Sequence, residues 1–236
     1  MSVYLFPLYS FAHFLIVIWC IRSWRKYRAP GALITLMIAG ALVYDNAIVS
    51  FGSAIGISPL LEGLSWPRFA MHALGTPFMI IAVTHMGQAG GIRWTKTRAW
   101  TIVAWLLVIG GIIEGVFAHL IGLQLEPACM DGVVRYTSNV NPGQFCFEGQ
   151  EAGPGGSPPI PSILGNLVAL VIGFSLWRST GWVWLMVGSV LMFAAASVPP
   201  SGFGLAPGNG GEVLLMLAFA ATAARFGRRT AMINSA

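Results

Sequence analysis

The side chains able to do chemistry in this chain are few, and they sit in apolar surroundings. Asp45 stands between Tyr44 and Asn46, Arg68 and His72 follow four residues apart, Glu114 lies in IGGIIEGV, and Glu212 closes APGNGGE. An ionisable group in hydrocarbon must be paired, hydrated or neutralised, so such groups face a bundle interior or a wet cavity. A carboxyl and an imidazole sharing an apolar pocket are equipped for general acid–base catalysis, one giving a proton and the other taking it. Asp45, His72 and Glu114 are therefore the candidate catalytic residues. Tyr44, Asn46, Arg68 and Glu212 are the candidate substrate-binding ones, with Arg68 offering a cation to an anionic head group.

Spacing within the segments sharpens this set. Arg68, His72, Thr76 and Met79 recur every three or four residues, which is one helical stripe. His119 lies five residues beyond Glu114, about 140° around a helix, and is expected at an outer rim. Asp45, His72, Glu114 and Glu212 also form a mixed nitrogen and oxygen donor set of the kind that suits zinc, iron or manganese. No ligand spacing joins them, so no metal site is assigned and no cofactor is named. HExxH, CxxC, GxSxG and a glycine-rich phosphate loop are all lacking. The two lysines, Lys26 and Lys96, both fall between apolar segments, which excludes a retinal Schiff base.

The elements that must position these residues are membrane helices. Of 236 residues, 56% are hydrophobic and only 9% charged, against about a quarter charged in a soluble domain. Seven apolar segments follow in order, at 3–21, 31–55, 67–87, 99–121, 160–177, 181–198 and 210–226. Most reach the ~20 residues that cross a ~30 Å hydrocarbon core. Pro67 is expected to open the third segment and Pro77 to bend it. The fold class is all-α: a polytopic membrane protein of seven transmembrane helices, one domain over 1–236.

Orientation follows from the basic residues. Arg22, Arg25, Lys26, Arg28, Arg93, Lys96, Arg98, Arg178, Arg225, Arg228 and Arg229 all lie on alternate connections or the C-terminal flank, and only Arg68 and Arg135 depart from the pattern. The positive-inside rule then places the N-terminus outside and the C-terminus in the cytoplasm. The first segment, lacking a charged leader, reads as a span and not as a removed signal peptide. The net charge of +5 is a set of topology signals and no nucleic-acid patch.

The longest connection, 122–159, then lies on the outer, periplasmic side of a plasma (inner) membrane. Its Cys129 and Cys146 are expected to form a disulfide, closing a loop of about 18 residues for about 3 kcal/mol in the chain-entropy model. Cys20 is expected to be free and buried. The polar residues converge in the outer half of the membrane, with Arg68 expected at the mouth of their pocket. The first functional expectation is an enzyme modifying a membrane lipid, an isoprenoid or another hydrophobic small molecule. The second is a non-catalytic subunit or assembly protein with a membrane-protein partner, and the third a transporter, which would need more polar groups in the inner half.

Overall fold

The apolar segments become helices whose limits are set by local backbone chemistry. The structure, a computed structural model, describes residues 2–234. In chain order α1 spans Ser2–Tyr27, α2 Ala32–Ile55, α3 Pro59–Gly75, α4 Met79–Ala89 and α5 Arg98–His119. A strand pair, β1 (Glu126–Met130) and β2 (Val133–Thr137), precedes α6 (Ile160–Thr180), α7 (Trp184–Ala196), α8 (Pro200–Phe203) and α9 (Ala206–Asn234). Six stretches are long and apolar enough to cross a membrane: α1 from Val3, α2, α3 through α4, α5, α6, and α9 to Met232. On α5, Leu106, Ile109, Ile113 and Phe117 form an exposed apolar stripe, the surface that lipid rather than water would cover.

The third segment starts earlier than its sequence indicates. Ser58 is an N-cap whose hydroxyl accepts from the Leu61 amide at 3.4 Å, and Pro59 occupies the first turn, where its missing donor is harmless. Pro67, expected to open the segment, is instead inside α3. Glu62 belongs to the first turn of that helix and not to a loop. The expected break at Pro77 is present as a single 3₁₀ turn, Thr76–Phe78, joining α3 to α4.

The bundle has two unlike ends. At one, the links α1–α2, α4–α5 and α6–α7 meet the last turns of α9, and the eleven basic residues collect. Backbones there touch closely: a Cβ on Gly31 would lie 2.6 Å from the Ala82 carbonyl oxygen, and one on Gly227 would lie 2.8 Å from Ala29. The main core, including Cys20, Met86, Ile172, Leu176, Phe219 and Phe226, fills this half. α7 leaves this end and is only 13 residues long, about 20 Å; α8 follows it to the opposite end.

That opposite end is capped by the β-hairpin. Met130 pairs with Val133 across a two-residue turn, and its Asp131 and Gly132 both have positive φ, 51° and 77°. Asp-Gly is the sequence that tolerates such a primed turn. The hairpin sits on α2: the Val134 amide donates to Ser53 Oγ at 3.1 Å, and the Ser53 hydroxyl donates to the Gly132 carbonyl. A Cβ on Gly52 would fall on the Val134 carbonyl, so glycine is required for this approach. Cys129 and Cys146 are paired with Cα atoms 4.9 Å apart, and Cys20 is free and buried.

Candidate functional site

Beneath the hairpin, polar side chains from five helices line a cavity of about 330 Å³. α2 contributes Asp45; α3 contributes Arg68 and His72, one turn apart, with Thr76 just beyond. α5 contributes His119 from its last turn, α6 Ser162, and α9 Asn209 and Glu212. Phe69, Ala73, Leu205, Pro159 and Pro161 supply apolar wall.

Asp45 is the fixed point of this arrangement. It is 5% exposed and Arg68 6%, and the Arg68 Nε donates to Asp45 Oδ1 at 2.6 Å. Asn209 Nδ2 donates to Asp45 Oδ2 at 3.4 Å and to Asn46 Oδ1 at 3.0 Å. His72 Nε2 lies 4.0 Å from Asp45 Oδ1. The remaining reach of Arg68 goes upward, its Nη1 meeting the Tyr136 carbonyl of β2 at 3.5 Å. One ion pair thus ties α2, α3, α9 and the hairpin together. A buried charge without its partner is strongly destabilising, which explains why the pair is so fully enclosed.

The hairpin carries a second buried cation. Arg135 Nη2 donates to Gln144 Oε1 at 2.7 Å. Burial, and then the neighbouring Arg68 charge, push its guanidinium down to about 10 against the opposing pull of Asp45. It therefore stays charged at neutral pH.

The two carboxyl groups of the cavity are not equivalent. Both oxygens of Asp45 are engaged, whereas Glu212 Oε2 is buried with no hydrogen-bond partner among the described residues. His119 Nε2 is in the same condition. Thr76 Oγ1 donates to the His72 carbonyl at 2.7 Å and accepts from Ser162 Oγ at 3.3 Å. The cavity is therefore lined by one carboxyl and one imidazole that each carry a buried atom without a hydrogen-bond partner among the described residues, beside a second imidazole and a hydroxyl pair. Asp45 is thus held at both oxygens, whereas Glu212 keeps one oxygen without a hydrogen bond among the described residues.

The sequence-expected residues divide accordingly. Asp45, Arg68, His72 and Glu212 are brought together. Arg68, expected at the outer mouth, is instead buried against Asp45, because the carboxylate offers a stronger partner than distant head groups. Tyr44 does not line the cavity; its hydroxyl donates to the Leu64 carbonyl at 2.8 Å and ties α2 to α3. Asn46 supports from behind, donating to the Leu42 carbonyl at 2.9 Å while accepting from Asn209. Glu114 is half-buried on α5 and is not among the lining residues, although its Oε2 is buried without a partner. His119, expected at the rim, lines the cavity in its place. Asn209 and Ser162 are the other lining residues that the sequence did not single out for the site. Asn209 stands three residues before Glu212, and that spacing was the available signal. Among the described residues, no three His, Cys, Asp or Glu side chains are grouped to hold a metal ion.

No family model, curated protein or solved structure matches this chain. The functional reading rests on the geometry.

Proposed function

We propose that this protein is a membrane enzyme that performs acid–base chemistry on a lipid or isoprenoid held beneath the hairpin. The observation that carries the reading is a single one: Glu212, without a protein partner at Oε2, shares a cavity with His72 and His119. In the proposed reaction Glu212 donates its proton to a substrate atom, and an imidazole takes one from the substrate. The pair is reset by proton exchange before the next turnover. The Asp45–Arg68 pair holds α2 and α3 in register, so that His72 meets the substrate at a fixed position.

In the same reading, the chain crosses the membrane seven times, α7 and α8 together making the sixth crossing. The N-terminus and the hairpin lie on the outer, periplasmic side of a plasma (inner) membrane, and the basic end faces the cytoplasm. The support is the collection of eleven basic residues at one end. One observation favours a second reading, a non-catalytic subunit of a membrane complex. The Asp45–Arg68–Asn209–Asn46 network joins three helices, and a purely structural lock would be built the same way.

The test is conversion. Full-length protein in nanodiscs is incubated with a lipid extract of its source cells, and products are read by mass spectrometry. The enzyme reading predicts new species with wild type and none with Glu212→Gln at an unchanged melting temperature. Identical profiles from both proteins favour the subunit reading.

A further inference from the structure

The polar cavity has a neighbour on the helix surface. A second cavity of about 490 Å³ lies between α2 and α3, lined by Met37, Ile38, Gly40, Ala41, Leu74 and Gly75 among others. It shares His72 and Thr76 with the polar cavity, so the two meet at the same side chains. Both volumes fall within the about 300–1,000 Å³ of small-molecule sites. The groove is open beside its glycines: a Cβ on Gly40 or on Gly75 would meet no atom within 4 Å. Met37 and Leu74 on its walls are exposed on the helix surface, which in a membrane is the lipid-facing side.

The charge of the polar cavity limits what can sit at the other end. Its one fixed cation, Arg68, is committed to Asp45 and to the Tyr136 carbonyl. Arg135 does not line the cavity and donates to Gln144. A phosphate or diphosphate head would find no arginine or lysine among the described lining residues whose charge is not already paired, and would stand beside Asp45 and Glu212. The groups that remain, a carboxyl, two imidazoles and two hydroxyls, suit hydrogen bonds to an uncharged oxygen function.

From this adjacency and charge, we infer that the ligand is an uncharged amphiphile. Its oxygen-bearing head lies among Glu212, His72 and His119, and its hydrocarbon chain lies in the α2–α3 groove, entered sideways from the bilayer. The inference rests on the reading of the polar cavity as the reaction site, and it replaces the expectation that Arg68 binds an anionic head.

The probes are hexadecanol and hexadecyl phosphate, each carrying a mid-chain diazirine, photolysed with the full chain in phosphatidylcholine nanodiscs. Hexadecanol is expected to label the 37–42 and 70–78 segments saturably, and excess unlabelled hexadecanol, not hexadecyl phosphate, to compete. Gly40→Phe fills the groove and is expected to reduce that labelling at least tenfold, while Gly40→Ala retains it. Gly75→Leu narrows the groove from the other wall and decides the matter should Gly40→Phe not fold. Glu114→Gln, at a residue that lines neither cavity, is expected to keep the labelling. Diffuse labelling of the lipid face that both groove variants leave intact would mean that bilayer lipid merely lies against α2 and α3, and would overturn the inference. Stronger labelling by the phosphate would overturn the uncharged head. Neither result would by itself remove the acid–base role of Glu212, which the conversion assay reads.

Discussion

The basic end of the bundle and the α2–α3 groove use glycine to opposite effect. At the basic end Gly31 and Gly227 let backbones touch, because any side chain there would collide with Ala82 or Ala29. Midway along the bundle Gly40 and Gly75 face open space, and beside them lies the groove next to His72. Charges divide in the same way. At the basic end they lie outside the packed core; at the hairpin end Asp45 and Arg68 lie within it. The first end is packed for stability. The groove and the polar cavity keep space and polar groups at some stability cost, the pattern expected where a ligand must fit.

The sharpest way to break this contrast is to remove the cation that the hairpin end encloses. Arg68→Ala leaves Asp45 buried without its partner and is expected to destabilise the protein by about 3–5 kcal/mol. Thermal unfolding in detergent measures this, and the double variant Arg68→Met with Asp45→Asn should recover much of the loss. Recovery would show that the uncompensated charge, and not lost packing, is responsible.

The disulfide comes next. Cys129 and Cys146 are 17 residues apart, for which loop-closure entropy gives about 3 kcal/mol as an upper range. Cys146→Ser should raise hydrogen exchange in β1 and β2 and leave the α4–α5 and α6–α7 links unchanged. Equal acceleration at both ends would mean that the ends do not respond independently.

The smallest effect tests the glycines themselves. Gly227→Leu should cost about 1–3 kcal/mol through overpacking, whereas Gly40→Leu should stay within about 0.5 kcal/mol, as surface substitutions do. Similar melting temperatures for the two variants would remove the distinction.

Much of this was legible before any coordinates. The arrest of charge at segment ends indicated the helical membrane class. The depth of Asp45, Arg68, His72, Glu114 and Glu212 indicated a shared pocket, and all of these but Glu114 line the cavity. The rotation of α5 was not legible, so Glu114 and His119 were weighted in the wrong order for the cavity. The physical reason is that lipid is as apolar as a helix core, so hydrophobicity does not mark which side of a membrane helix faces inward. The hairpin was available in Asp131-Gly132 but stood between short strands without clear alternation. Ser58-Pro59 was likewise a readable cap, masked by the later Pro67. The α2–α3 groove had no sequence signal, because an unopposed glycine and a tightly packed one are written with the same letter.

The central claim is that the carboxyl inside the cavity, and not any carboxyl in the membrane, performs the chemistry. It is tested most directly by comparing Glu212→Gln with Glu114→Gln in the conversion assay, each checked for an unchanged melting temperature. Removing a general acid lowers rate by about 10²–10⁴-fold, so Glu212→Gln should lose at least about a hundredfold while Glu114→Gln stays within a few-fold of wild type. Equal activity of Glu212→Gln and wild type, or the reverse order of the two variants, would contradict the account.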